Sequence, residues 1–436
     1  MRVLALDVGS SSTRAGAYDE RGREAGEPAR RSYSSSHGQL DADELLGAVQ
    51  AALAEAGDAD AVGISCFWHS LLLLDEHERP LTPVLLWQDR RAAAQAESLT
   101  ARLDAHAVQA RTGCTFHPSF WPAKLEWLRD EGVLARARRA VSFADYLFLR
   151  LTGELRTSLS SASGTGLLNL RARTWDAELL DALELDEALL PPISDEPAGT
   201  TYPPLGDGAC SNLGAGCVTP DRAALNIGTS GALRVLRAGE PEPQDGLFSY
   251  FLDERRVVEG GAVSDGGNLY AWARRTLQLG DPPEPREPDG HGLTFLTLLG
   301  GERSLGWNPD ASGAVAGLTL ETDAADLVQA GLEGIAYRIA EIVERLPAVR
   351  EVVATGHALL QSDWWMQVFA DALGRPLVAS GVAEGSARGA ALYALERLGV
   401  EAEPAPLGRR HEPDPERGRI YAAARERQRE LYERLF

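Results

Sequence analysis

The sequence predicts a two-domain α/β protein, and three observations carry that expectation. The chain has 436 residues, too long for one ordinary hydrophobic core. Short strand-like runs alternate with longer stretches of helical spacing. One local device also occurs twice, about half a chain apart: a β-prone run, a turn of glycine and hydroxyl residues, and a second alternating run. The first copy is Arg2–Val8, then Gly9-Ser10-Ser11-Ser12-Thr13, then Arg14–Tyr18. The second is Ala223–Ile227, then Gly228-Thr229-Ser230-Gly231, then a run to Leu236. Each reads as a β-hairpin. Such a turn gathers backbone N–H groups and hydroxyls at one point, which suits a phosphate group. Taken singly, either turn could serve hairpin geometry alone; the pairing suggests two similar domains facing one ligand. Asp7 enters the first turn, where an acidic residue suits Mg²⁺, a cation that takes few carboxylates, several waters and phosphate oxygens. A turn-capping aspartate is the alternative there. Asp207 stands between Gly206 and Gly208, ahead of a segment that reads as turn-rich. The domain division is placed near residue 218, giving 1–218 and 219–436.

Composition narrows the function. At 44% hydrophobic and 25% charged residues the chain is globular. A formal net charge of −21 argues against a nucleic-acid partner or an anionic membrane surface. It does not argue against a nucleotide held by local N–H groups and a metal. Lysine occurs once, at Lys124, so the Gly-x-x-x-x-Gly-Lys-Ser/Thr motif cannot occur and any nucleotide site is not a P-loop. Cys66, Cys114, Cys210 and Cys217 have no CxxC spacing and read as reduced, mostly buried thiols of a cytoplasmic protein. Neither HExxH nor Gly-x-Ser-x-Gly is present. The N-terminus enters a strand directly, without a signal peptide's apolar core. No apolar run reaches the ~18 residues of a membrane span.

Along the chain, Asp41–Glu44 resembles a capping box, with Leu45, Leu46, Val49, Ala52 and Leu53 following at helical spacing. Ala61–Phe67 is a strand ending at Trp68-His69-Ser70, the position where α/β folds place ligand contacts. A structural role for His69 is equally open. Leu71–Leu74 is a further strand, and Trp87-Gln88-Asp89-Arg90-Arg91 opens an alanine-rich helix, where Asp89 could simply favour the helix dipole. Residues 95–150 read as helices broken at Gly113–Pro122. Ser158–Gly166 is a small-residue stretch, a close-packed turn or a site. Leu179–Leu190 reads as one helix, followed by a proline-rich connection. In the second half, Gly246–Val258 reads as two strands and Pro282–His291 as a flexible loop. Leu327–Leu346 is a strong amphipathic helix. Glu351–Ala354 is a strand running into Thr355-Gly356-His357-Ala358. Ser362 caps a helix, the small residues of Glu384–Ala391 imply close packing, and a charged helix covers Asp414–Phe436.

In this order the pieces resemble the FGGY family of carbohydrate kinases. The stretches are LALDVGSSSTRAGAYD, GISCFWHSLLLLD, LLWQDRRA, GDGACSNLGAG, LNIGTSGALRVL and VVATGHALLQSDWWMQVFADALGRPL, followed by EGSARGAALYAL. GTSGALR, VVEGGAVSDGGNLYAW and LTFLTLLGGERSLGWNP are most similar to the gluconokinase-type branch, with xylulokinase next. The resemblance implies two ribonuclease H-like domains of the actin/hexokinase-like ATPase fold with a ligand cleft between them. It implies ATP and Mg²⁺ as cofactors and a sugar or sugar acid, gluconate first, as acceptor. It makes Asp207 the general base and Asp7 the Mg²⁺ residue. Trp68, His69, Asp89 and Arg90 become the sugar-side wall, with Asp207 and Gly208 beside the substrate. ATP falls to Gly9, Ser10, Ser11, Ser12 and Thr13, to Gly228, Thr229 and Ser230, and to Gly356, His357 and Ala358. The chain departs from the family pattern in a short connection from Pro191 to Asp207, in having no acid near Thr157-Ser158, and in Gly356-His357 where a glycine pair is usual. A ketose kinase, and a catalytically reduced actin-fold sensor of nucleotide or sugar, are the competing readings. A homodimer is left open.

Overall fold

The computed structural model describes residues 1–279 and 283–436. They form two compact units: residues 1–216, 236–259 and 382–405 make the first, and residues 217–235, 260–381 and 406–436 the second.

The first unit is organised on a five-stranded sheet in the order Leu205–Gly206, Ala61–Cys66, Arg2–Val8, Ser12–Asp19, Ala29–Ser32. Arg2–Val8 is buried from Val3 onward, as a strand covered on both faces must be, which is why it reads as a nearly continuous apolar run. It pairs antiparallel with Ser12–Asp19, placing Arg14 opposite Asp7, and parallel with Ala61–Cys66, placing Ser65 opposite Asp7. Leu205–Gly206 lies parallel to Ser65–Cys66. These three parallel strands therefore end at one edge, where Asp7, Phe67-Trp68-His69 and Asp207 follow.

Side chains alternate across a sheet. Leu6, Val8, Ile64 and Cys66 share one apolar cluster with Leu45, Leu46, Val49 and Ala52 of helix Ala42–Ala56. Asp41 caps that helix by accepting from Asp43 N and Glu44 N. The opposite face, which takes Gly63, Ser65 and Asp7, meets helix Gly385–Arg397. There a Cβ on Gly63 would lie 2.1 Å from Ala390 O, so the strand and the helix approach as closely as backbones can. The same helix seats Asp207–Gly214: a Cβ on Gly214 would lie 1.9 Å from Gly385 O, and one on Gly389 1.9 Å from Cys210 O. The close packing expected of Glu384–Ala391 is thus present.

Two sequence expectations are corrected in this unit. The stretch after Asp207 is helix Asp207–Gly214 rather than turns; Gly214 serves the helix–helix approach, and tertiary packing overrides its poor propensity. The single helix expected over Leu179–Leu190 is helix Ala177–Ala182 and a separate 3₁₀ turn, Glu187–Leu189, divided where Glu184 takes a left-handed φ of 52°.

In the second unit Arg222–Ile227 pairs antiparallel with the strand that begins at Gly231 and parallel with Glu351–Thr355; Leu377–Ser380 and Leu407–His411 continue the sheet. Helix Ala324–Glu344 begins at a capping box of Asp323 and Asp326 and buries Val328, Ile335, Ile339, Ile342 and Val343. Asp414 caps the closing helix Pro415–Leu435. The loop expected to be flexible begins at Pro282, outside the described residues. From Pro283 onward it is fastened: Arg286 pairs with Asp323 at 2.6 Å and with Asp326, and Asp289 with Arg427 at 2.6 Å.

Candidate active site

Asp7 sits at the end of the central strand of the first unit, 8% exposed. One carboxylate oxygen accepts from Ser65 Oγ at 2.8 Å, and the other faces Arg14 Nη1 at 3.4 Å. Arg14 is held more tightly by Glu384, at 2.7 Å. Burial pushes the Asp7 carboxyl up to about 6; the Ser65 hydrogen bond and the Arg14 charge oppose this, and the Asp207 and Glu384 charges add to it. Asp207 opens its helix immediately after the short strand Leu205–Gly206, so the truncated connection still delivers it beside Ala61–Cys66. Its Oδ1 accepts from Gly208 N at 2.7 Å, and Ser386 Oγ donates to its carbonyl.

Two carboxylates at one end of the sheet, with the charge of Asp207 felt at Asp7, are chemically suited to a divalent cation. No cluster of three or more acidic, histidine or cysteine ligands occurs among the described residues. The Asp7–Asp207 pair is a donor set of the kind Mg²⁺ takes, since that ion keeps several waters and uses one or two carboxylates together with phosphate oxygens.

The first turn is anchored by Tyr33, which donates its hydroxyl to Gly9 O at 2.5 Å and its backbone N–H to Ser11 O at 3.0 Å. Gly9 N donates to Ser12 O. Thr13 is fully buried and donates its hydroxyl to Asp7 O, so that hydroxyl supports the strand end instead of facing a ligand. Ser10, Ser11 and Ser12 remain accessible.

Trp68 and His69 are buried. The Trp68 indole N–H donates to Ser160 O at 3.0 Å, and its ring covers Gly206, where a Cβ would come within 1.8 Å. His69 has a left-handed φ of 66°, with Nδ1 2.6 Å from Gly164 O and its ring edge-on to Phe120 at 5.0 Å. The two rings and Asp207 therefore share the neighbourhood of Gly206. Asp89 is buried and clasped by Arg91, from Nε at 3.0 Å and Nη2 at 2.5 Å, while Arg90 is exposed. The stretch Ser158–Gly166 is a short helix, Leu159–Ser163, and Gly164 meets Trp68, so it is close-packed against this group.

In the second unit the turn Gly228–Ser230 is braced from below. Gly267 N donates to Gly228 O at 2.8 Å and Asn268 N to Thr229 O at 3.1 Å, while Thr229 itself is exposed. Gly356 takes a φ of 88°, and a Cβ there would lie 2.6 Å from Ile227 O, so both backbone angle and space require glycine. His357 has no left-handed φ and opens a short helix, His357–Leu360, with its ring exposed. Ala358 lines a cavity of about 570 Å³ with Gly267, Tyr270, Val328, Leu332, Trp364 and Trp365; Gln329, Gln361 and Ser362 supply polar groups. A mostly apolar, aromatic pocket with a few polar atoms suits a flat heteroaromatic ring.

Residues 2–212 match the N-terminal domain of the FGGY family of carbohydrate kinases, and residues 223–396 match its C-terminal domain. The chain belongs to the FGGY family of carbohydrate kinases. It is 28% identical to a gluconokinase of Bacillus subtilis (strain 168), covering 91% of this chain and 88% of that protein. It is 29% identical to a xylulose kinase of Escherichia coli (strain K12), covering 99% of each. Among solved structures, a gluconate kinase from Lactobacillus acidophilus superposes with a TM-score of 0.90 at 28% identity, over 100% of this chain and 98% of that one. A ligand-bound xylulose kinase from the same species gives 0.89 at 28% identity, over the same shares. The fold is accordingly the mixed α/β, actin/hexokinase-like ATPase fold of these kinases.

Several residues around the sites of this FGGY kinase escaped the sequence reading. Ser65, Arg14 and Glu384 set the charge at Asp7, yet they come from a neighbouring strand, a returning strand and a segment more than 350 residues away. Strand register could have suggested Ser65; nothing local marks Glu384. Tyr270 and Trp364 were singled out by no local pattern, and Val328 and Leu332 read as part of an amphipathic helix face, because periodicity cannot separate a face that meets the core from one that lines a cavity.

Proposed function

We propose that this carbohydrate kinase transfers the terminal phosphoryl group of ATP to a terminal hydroxyl of an open-chain, polyhydroxylated substrate, with gluconate first. The observation that carries this reading is the convergence of Asp7 and Asp207 at one sheet edge, backed by the gluconate-kinase likeness. Asp207 is the general base: it stands at the start of a rigidly seated helix, poised to take the proton of the attacking hydroxyl. Trp68 and His69 form an apolar wall beside it, and Arg90, exposed on the loop after Val84–Leu85, supplies a cation for a substrate carboxylate. The turn residues Gly9–Ser12 and Gly228–Ser230 hold phosphate oxygens with backbone N–H groups, and the aromatic cavity holds the adenine ring, with His357 outside it. Bound at Asp7, Mg²⁺ would neutralise charge on the transferring phosphate. Phosphoryl transfer needs alignment and charge compensation more than covalent help, and these residues provide both. The buried thiols of Cys66, Cys114, Cys210 and Cys217 suit a reducing, cytoplasmic setting.

A ketose acceptor such as xylulose is the second reading, supported by the full-length likeness to the E. coli xylulose kinase. A reduced, non-catalytic sensor is disfavoured because both aspartates are present and well placed. The test is ADP release with gluconate, xylulose, ribulose and glycerol as acceptors. Gluconate turning over fastest supports the proposal; turnover of ketoses with no sugar acid overturns the gluconate assignment, and none at all overturns the kinase chemistry proposed here.

A further inference from the structure

Lys124, the chain's one lysine, lies on helix Trp121–Asp130 and is 1% exposed. Its ammonium donates to three main-chain carbonyls: His69 O at 2.7 Å, Leu86 O at 3.0 Å and Leu85 O at 3.4 Å. Three acceptors match the three N–H groups of an ammonium. A neutral amine would set its lone pair against one of those carbonyls. Burial pulls its pKa down to about 7, and the Asp89 charge opposes that. A long, charged side chain carried to full burial for main-chain oxygens alone is rare, because desolvation is costly unless every donor is used.

The carbonyls belong to two loops and to Leu85, the strand residue that leads into the second. One follows Ala61–Cys66 and carries Trp68 and His69; the other follows Val84–Leu85 and carries Asp89 and Arg90. The same helix start fastens each loop again: Trp121 Nε1 donates to Ser70 O at 2.8 Å, and Ser119 Oγ to Trp87 O at 2.9 Å. Lys124 reaches both loops from one nitrogen. It also grips the carbonyl of His69, whose left-handed backbone survives only where its surroundings over-determine it.

We propose that Lys124 is a positioning residue for the acceptor, setting the separation of the Trp68–His69 and Asp89–Arg90 loops and so the width of the polyol pocket. This rests on the reading that those four residues face the sugar. Lys124→Met keeps the length of the side chain and removes every donor. It should raise the KM for the preferred polyol by about tenfold or more while the KM for ATP stays within about twofold. A merely structural role would move both constants or neither. Because the chain has a single lysine, protein labelled with [ε-¹³C]lysine gives one lysine signal, which probes the wild-type enzyme directly and decides the matter even if the variant misfolds. That signal should shift on adding the turned-over polyol and not on adding a non-hydrolysable ATP analogue. A sugar KM unchanged in Lys124→Met, or a signal indifferent to the polyol, overturns the proposal while wild-type turnover leaves the kinase reading standing. Absence of any polyol turnover by the wild type overturns both.

Discussion

Asp207 and Asp145 show how differently two buried-edge carboxylates behave. In the proposed reaction Asp207 is the base, so Asp207→Asn, which preserves shape but cannot accept a proton, should lower turnover by roughly 10²–10⁴-fold. Isothermal titration should find sugar and nucleotide still bound; near-normal turnover would remove Asp207 as the base. Asp145 is structural. It forms a capping box with Ser142 at the start of helix Phe143–Thr152, and one of its carboxylate oxygens has no hydrogen-bond partner. Burial pushes its carboxyl up to about 6, against its hydrogen bonding with Ser142. Its folded pKa exceeds the unfolded value, so the folded state binds the extra proton: the stabilisation is complete below about 4 and is lost as pH rises through about 6. Asp145→Asn should therefore match the parent's Tm near pH 4 and exceed it increasingly up to pH 6.5. A Tm difference independent of pH would show that the carboxyl is ionised throughout.

At the scale of elements, the helix Asp207–Gly214 depends on a neighbour far away in sequence. Gly389→Ala would drive a methyl group to 1.9 Å from Cys210 O. Overpacking of this kind costs about 1–3 kcal/mol, and here it pushes on the helix that Asp207 opens. Both Tm and kcat should fall, with the ATP KM little changed; a kcat that survives the loss of Tm would show that the helix can shift without moving Asp207. This element also shows what the sequence could convey. The hairpins, the strand into Trp68-His69 and the long helix Ala324–Glu344 were legible because burial on one or both faces imprints a period on the residues. Asp207–Gly214 was not legible, since its glycines and polar residues answer to the backbone of Gly385–Arg397. The ring of His357 shows the same limit: Gly356 carries the left-handed backbone, which leaves its neighbour ordinary and exposed, and no local pattern distinguishes the two arrangements. In the second unit Trp364→Ala should raise the ATP KM several-fold and leave the sugar KM unaltered, because Trp364 lines the aromatic cavity.

Over the whole molecule, the chain changes unit after residues 216, 235, 259, 381 and 405. Neither unit is a continuous segment. A protein truncated to residues 1–218 would lack helix Gly385–Arg397 and leave the glycine faces of Gly63 and Gly214 uncovered. It is expected to lack a cooperative thermal transition and to bind a hydrophobic dye, as compact but unpacked states do. A sharp calorimetric transition in that fragment would show that the remaining strands and helices suffice.

The close seat of Asp207–Gly214 against Gly385–Arg397 also sets a timetable for the ribosome. The seat is made early and its occupant late, with about 180 residues, 217 to 397, synthesised in between. At ~5–20 residues per second, residues 1–216 wait roughly ten to forty seconds without the helix that covers Gly63 and Gly214. During that interval those glycine faces can accept any small-residue helix that passes, including one from a neighbouring nascent chain.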